Sequence, residues 1–131
     1  METATSSKWM IRIGYALSAL FVLFMVFDGT IKVMQLPVVL TTFDQMGWPR
    51  DLSLSIGILE LALTLFYVIP RTSIFAAVVL TGYLGGAIAS HVRINDPLFT
   101  HVLFGIYLAA MMWGGIYLRD GPLRALIPLT K

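Results

Sequence analysis

The chain is 131 residues long, 58% hydrophobic and only 12% charged, with a mean hydropathy of +0.85. Soluble domains carry about 25% charged residues, so much of this surface meets something other than water, and the class is integral membrane protein. A formal charge of +2 is too small to draw nucleic acid. The absence of cysteine excludes disulfides, thiolate nucleophiles, Fe–S clusters and Cys-ligated zinc.

In chain order, the polar "METATSSK" leads into an apolar span that runs on to "DGTIKVM" without a small-residue cleavage site. That pattern reads as a retained helix rather than a signal peptide. A helix of about 20 apolar residues crosses a bilayer, and four stretches meet that need: 9–34, 52–69, 73–91 and 98–118. Pro37 and "GWPRD" (47–51) separate the first two. "PRTS" (70–73) makes a tight turn, with Ser73 placed to cap the third helix. "RINDP" (93–97) puts Pro97 near the first turn of the fourth, and "RDGP" (119–122) ends it. The one longer connection, 36–50, carries Phe43, Met46 and Trp48 and is expected to lie in the membrane interface.

Short loops make neighbouring helices antiparallel, so the expected fold is all-α, a single-domain transmembrane up-down four-helix bundle. Lys8, Arg12, Arg71, Arg119, Arg124 and Lys131 then share one side, against Lys32, Arg50 and Arg93 on the other. Basic residues favour the cytoplasmic side, which predicts both termini in the cytoplasm.

Lipid tails are as apolar as leucine, so spanning helices associate through small residues that allow close approach. Gly82 and Gly86 form a GxxxG pair, and Gly105, Ala109, Ala110 and Gly114 recur on the fourth span. Such a face serves a homo-oligomer or packing between the third and fourth helices, the latter being the simpler use. On the second span Ser53, Gly57, Glu60, Thr64 and Tyr67 form one stripe, expected to face inward. Leu52, Ile56, Leu59, Leu63 and Phe66 are left for lipid.

Ionisable groups at membrane depth cost roughly 2.5–3.5 kcal/mol on insertion scales and normally face the interior. Asp28 and Lys32 are i,i+4 and can pair. Asp28 lies about 9 Å below the end of the first helix and Glu60 about 13 Å below the outer end of the second. His91 and Arg93 close the third helix, His101 opens the fourth, and Asp96 lies between them. Alternating directions bring all of these to the extracytoplasmic half, and the sequence shows no polar route continuing through the other half. Asp28–Lys32 reads either as a structural ion pair or as part of a site, and Arg93–Asp96 as a loop-ordering pair. Glu60 has no basic helix-mate, so it is protonated or pairs across helices, with Lys32, Arg93 or a histidine. Haem ligation by His91 and His101 is disfavoured, since both lie near the surface and a haem needs apolar room below them. With only two histidines, no protein-built metal site is expected.

These residues carry a resemblance. "DGTIKVM" (28–34) resembles the Gly-x-x-Lys element of the DoxX-like family of small four-helix membrane proteins, at Gly29 and Lys32. "IGILELAL" (56–63) resembles its Gly-x-x-Glu element, at Gly57 and Glu60. "GYLGGAIASHVR" (82–93) and "DPLFTHVLFGIYL" (96–108) are similar to its third helix, with a terminal histidine at His91, and to the start of its fourth. The resemblance implies the bacterial inner membrane and a role as an accessory or quinone-interacting subunit of a redox system. Glu60 and Lys32 would then do the chemistry, with Asp28, His91, Arg93 and His101 around the ligand. A partner redox protein would supply the electron carrier. The alternative it implies is a non-enzymatic assembly factor for a membrane client, or an anchor for a partner protein.

Overall fold

A computed structural model describes residues 6–129. Helix α1 spans Lys8–Val33, and Ser7 caps it by accepting from the Met10 N–H at 3.4 Å. Next come α2 (Pro37–Met46), α3 (Leu52–Val68) and α4 (Ser73–Arg93). A π-helical turn over Leu98–Val102 leads into α5 (Phe104–Arg119), and α6 (Gly121–Leu126) follows. Among the described residues there is no strand.

Three helical stretches are long and apolar enough to cross a membrane: Lys8–Val33, Ser73–Arg93 and Leu98–Arg119. The 17-residue α3 is as apolar but shorter. Large apolar side chains such as Leu23, Phe27 and Phe75 point outward with about two-thirds of their surface exposed. Water would penalise such a surface at about 25 cal/mol per Å², whereas lipid does not.

Helix α1 lies between α3 and α5, and α4 completes the contacts by touching both. Glycine sets the closest approaches. A Cβ on Gly57 would sit 2.8 Å from the Val33 nitrogen and 2.9 Å from the Gly29 carbonyl, so α1 and α3 touch backbone to backbone. Gly14 and Gly115 do the same for α1 and α5. Phe21, Met25, Tyr67, Leu80 and Met112 fill the centre, and Phe24 meets Phe104 edge to face at 4.8 Å.

Several expectations need correction. The 36–50 connection is mostly helix: Pro37 starts α2, and Gly47 ends it in the left-handed conformation at φ 77°. There the Gly47 and Trp48 amides donate to Asp44 and Phe43. Val39 and Phe43 turn inward, while Asp44 and Arg50 pair on the exposed side. Hydrogen bonds from Arg50 hold the Asp44 carboxyl below its ordinary range. Ser73 does not cap α4; it is the first helical residue, and its buried hydroxyl finds no partner among the described residues. Gly82 and Gly86 are not a packing face, because nothing lies within 4 Å of a Cβ at either position. Gly105 does pack, against Ile88 and the Leu84 carbonyl. Lys131, counted in the charge asymmetry, lies outside the described residues.

Candidate functional site

The stripe on α3 is buried as its spacing predicts: Ser53, Gly57, Glu60, Thr64 and Tyr67 all face inward. Leu52, Leu59 and Phe66 are exposed, but Leu63 is buried with the stripe, because α3 packs on α1 and α4 over a wider arc than one row of residues. Close contact at Gly57 brings the end of α1 against α3. There the Ser53 hydroxyl donates to the Lys32 carbonyl at 2.7 Å, which fixes Lys32 opposite Glu60.

The Lys32 ammonium donates to Asp28 Oδ2 at 2.5 Å, to Glu60 Oε2 at 2.9 Å and to the Tyr83 hydroxyl at 2.8 Å. An ammonium has three hydrogens, so all are used. Tyr83 in turn donates to Glu60 Oε2 at 2.8 Å. Glu60 is fully buried, while the Lys32 and Asp28 side chains are 17% and 28% exposed. Glu60 Oε1 has no hydrogen-bond partner among the described residues. The Asp28 and Glu60 carboxyls also lie within hydrogen-bonding reach of each other, so a proton held by either one would bridge them. The cluster thus sets one cation against two carboxyl groups.

Beside the cluster is a cavity of about 440 Å³, in the size range of small-molecule sites. Asp28, Lys32, Glu60 and Tyr83 form its polar end; His91 and His101 also border it, and Gly82 and Gly86 form a thin wall. The rest is apolar, including Phe24, Ile56 and Leu108, with Phe43, Met46 and Trp48 from the α2 region. The Trp48 indole donates to Ser90 at 3.3 Å, and Arg93 donates to the Met46 carbonyl at 3.3 Å, tying α2 to the end of α4.

Five of the six candidate residues therefore meet at one cavity: Asp28, Lys32, Glu60, His91 and His101. Arg93 does not border it. Nor does Arg93 pair with Asp96, as loop proximity suggested. Asn95 turns the chain back at φ 55°, and Asp96 instead accepts from His91 Nδ1 at 2.5 Å. Since the carboxylate only accepts, the shared proton is placed on Nδ1.

Residues 16–115 match the model of the DoxX-like family, a span that contains every residue of this cluster. The chain belongs to the DoxX-like family. No curated protein and no solved structure matches it.

The two histidines of this DoxX-like chain do not fit haem ligation. Their rings touch edge to face with centroids 5.7 Å apart, leaving no slot for a porphyrin between them. Among the described residues no group of three or more His, Asp or Glu side chains is arranged to hold a metal ion.

Two features were not anticipated from the residues alone. Tyr83 completes the cluster; its one signal was a hydroxyl-tipped aromatic in an otherwise small and aliphatic run. At the opposite end lies a second polar network. Arg119 donates to the Ser18 hydroxyl at 2.5 Å, Ser18 pairs with the Tyr67 hydroxyl at 2.8 Å, and Tyr67 donates to the Met112 carbonyl at 2.7 Å. Since the Tyr67 hydrogen is committed to Met112, Ser18 is the donor to Tyr67. That half of the DoxX-like chain is therefore not free of polar groups.

Tyr83→Phe removes one donor to Glu60 and leaves one Lys32 hydrogen without an acceptor. The expected cost is about 1–3 kcal/mol, read as a lowered unfolding midpoint in detergent. An unchanged midpoint would mean that water replaces the hydroxyl at no cost.

Proposed function

We propose that this protein is a quinone-interacting accessory subunit of a membrane redox system, built as an up-down four-helix bundle with both termini in the cytoplasm. The basic side chains of its termini and of the α3–α4 turn favour that orientation. In a bacterial inner membrane the cavity then lies in the extracytoplasmic half. The observation that carries the reading is the shape of the chemistry: an apolar chamber of about 440 Å³ with one charged, hydrogen-bonded end. A membrane-soluble ring compound with polar substituents matches both parts.

Glu60 is assigned the proton-accepting role, because it borders the cavity, is shielded from water and keeps one carboxyl oxygen uncommitted. Lys32 holds Glu60 and Asp28 in place. With all three of its hydrogens engaged, it is a positioning residue rather than a direct ligand donor. His91, oriented by Asp96, and His101 border the same cavity. A partner protein supplies the electron carrier.

The test uses the thin wall. A Cβ at position 86 meets no protein atom within 4 Å, and Gly86 borders the cavity, so Gly86→Leu is expected to narrow the cavity with little disturbance of packing. Leucine also favours helix over glycine, by up to about 1 kcal/mol. The variant is expected to unfold at or slightly above the wild-type temperature yet bind a short-chain quinone analogue, in either redox form, more than about tenfold more weakly. Wild-type-like binding by Gly86→Leu, or no binding of either form by wild type, would remove the reading. In the latter case an assembly or anchoring role becomes the better account.

A further inference from the structure

We infer that His91, held by Asp96, is a second polar anchor for the ligand, at the end of the cavity away from the Glu60 cluster, and that the ligand carries polar groups on two opposite sides of an apolar middle. The inference rests on the cavity being a ligand site. It goes further by naming a residue that binds there and the class of compound it selects.

Most polar side-chain atoms around the cavity are committed. Lys32 uses its three hydrogens on Asp28, Glu60 and Tyr83. Ser90 donates to the Gly86 carbonyl and accepts from Trp48. Glu60 Oε1 lacks a partner among the described residues but is sealed from solvent. His91 differs on both counts. Its Nδ1 is bonded to Asp96 Oδ2 at 2.5 Å, and its Nε2 has no partner among the described residues. Nε2 is not among the buried atoms that lack a partner, and the side chain, 22% exposed, borders the cavity. The imidazole is thus oriented through one nitrogen and open at the other. An ionised Asp96 only accepts, so it keeps a proton on Nδ1. Such a bond on one ring nitrogen sets the role of the other. Nε2 then offers the ligand one hydrogen bond: bare, it accepts from a hydroxyl; protonated, it donates to a carbonyl.

His101 borders the cavity too, and its ring meets His91 edge to face. Its Nδ1 faces the Thr100 hydroxyl at 2.8 Å, a partner that can donate or accept and so fixes no tautomer. The His101 side chain is also exposed. It buttresses the His91 ring.

The separation of the two polar ends points to a two-sided ligand. Tyr83, whose hydroxyl joins the cluster, and His91 lie eight residues apart on α4. At about 1.5 Å per residue that is about 12 Å along the helix. A hydrogen bond covers about 3 Å, so no single polar group serves both ends. Between them the wall is apolar, with Ala87 and Ile88 on α4 and Phe104 and Leu108 on α5. A six-membered ring with oxygens at opposite positions repeats that pattern of polar, apolar, polar.

The experiment uses the purified full-length protein in detergent and three probes with the same alkyl chain: a hydroquinone, and the two phenols that each lack one of its hydroxyls. Binding is measured anaerobically by calorimetry. Wild type is expected to bind the hydroquinone at least about tenfold more tightly than either phenol. His91→Phe keeps an aromatic ring against His101 but removes Nε2. In that variant one phenol, the one lacking the hydroxyl that meets position 91, is expected to bind as tightly as the hydroquinone, while the other keeps its penalty. His101→Phe is expected to retain the full preference. Asp96→Asn tests the positioning. Its amide donates to Nδ1 as readily as it accepts, so the ring proton is no longer fixed. The hydroquinone's advantage over that same phenol is expected to shrink, and the His91 ring resonances to shift in nitrogen NMR. Phenols that match the hydroquinone in wild type would overturn the inference while leaving a ligand cavity in place. So would a preference over both phenols that persists undiminished in His91→Phe and in Asp96→Asn, or one that is lost in His101→Phe instead. Failure of all three probes to bind wild type would remove the underlying ligand-site reading.

Discussion

Lys32→Met is expected to destabilise the protein by about 3–5 kcal/mol, the cost of breaking a buried ion pair by removing one partner. Among the described residues the lysine is the only cation in contact with the Glu60 carboxyl, and it also bonds Asp28; methionine keeps most of its volume while removing the charge. Both carboxyl groups would be left to repel one another at membrane depth. The measurement is thermal unfolding in detergent, with a midpoint lowered by about 10 °C or more. The triple variant Lys32→Met with Asp28→Asn and Glu60→Gln removes both the charges and their mutual repulsion. It is expected to regain much of the loss, since apolar or neutral replacement of a whole buried ionic group is often tolerated. A Lys32→Met protein as stable as wild type would show that the carboxyl groups do not depend on the ammonium, and the electrostatic account of the cluster would be withdrawn.

Gly57→Ala, against Gly86→Ala, should produce opposite outcomes from the same chemical change. At position 57 the new methyl would lie 2.8 Å from the Val33 nitrogen and 2.9 Å from the Gly29 carbonyl. Both are backbone atoms and cannot rotate away, so α1 must move off α3. Overpacking of this kind costs about 1–3 kcal/mol. The same displacement pulls Lys32 from Glu60, whose bond is 2.9 Å long, so ligand binding should fall with stability. At position 86 a methyl meets nothing within 4 Å, and exchanging a mid-helix glycine for alanine should stabilise by about 0.5–1 kcal/mol. The two midpoints, measured side by side, are the check. If Gly57→Ala unfolded no earlier than Gly86→Ala, the backbone contact between α1 and α3 would not be what holds that end together.

The contrast between these glycines shows where the reading of the residues alone succeeds and where it stops. Both lie in apolar helices, and both belong to motifs of small residues. Gly82 and Gly86 have the spacing of a packing face, yet they face open space, and the close backbone contacts fall on Gly57, Gly29, Gly14 and Gly115. Spacing tells which residues share a face, because 3.6 residues per turn is a property of one helix. It does not tell whether that face meets a neighbour or a void. The same limit explains Arg93 and Asp96. Proximity in a loop suggested a pair, but Asn95 redirects the chain and His91 takes the carboxylate.

What the residues determined by themselves was the class and the inward stripe. A 12% charged, 58% hydrophobic chain cannot cover itself for water, and the charges at membrane depth had to turn toward one another because lipid offers them no partner. Thus Glu60 was identifiable as either protonated or paired across helices, with Lys32 standing beside Arg93 and the histidines as possible partners; the fold selected Lys32. Only the tertiary structure decided that Tyr83 joins them, that α2 folds against the cavity they border, and that one oxygen of Glu60 is left over. Those outcomes depend on how closely the helices approach one another. Such distances are set by backbone contact at a handful of glycines on different helices, and no single segment encodes them.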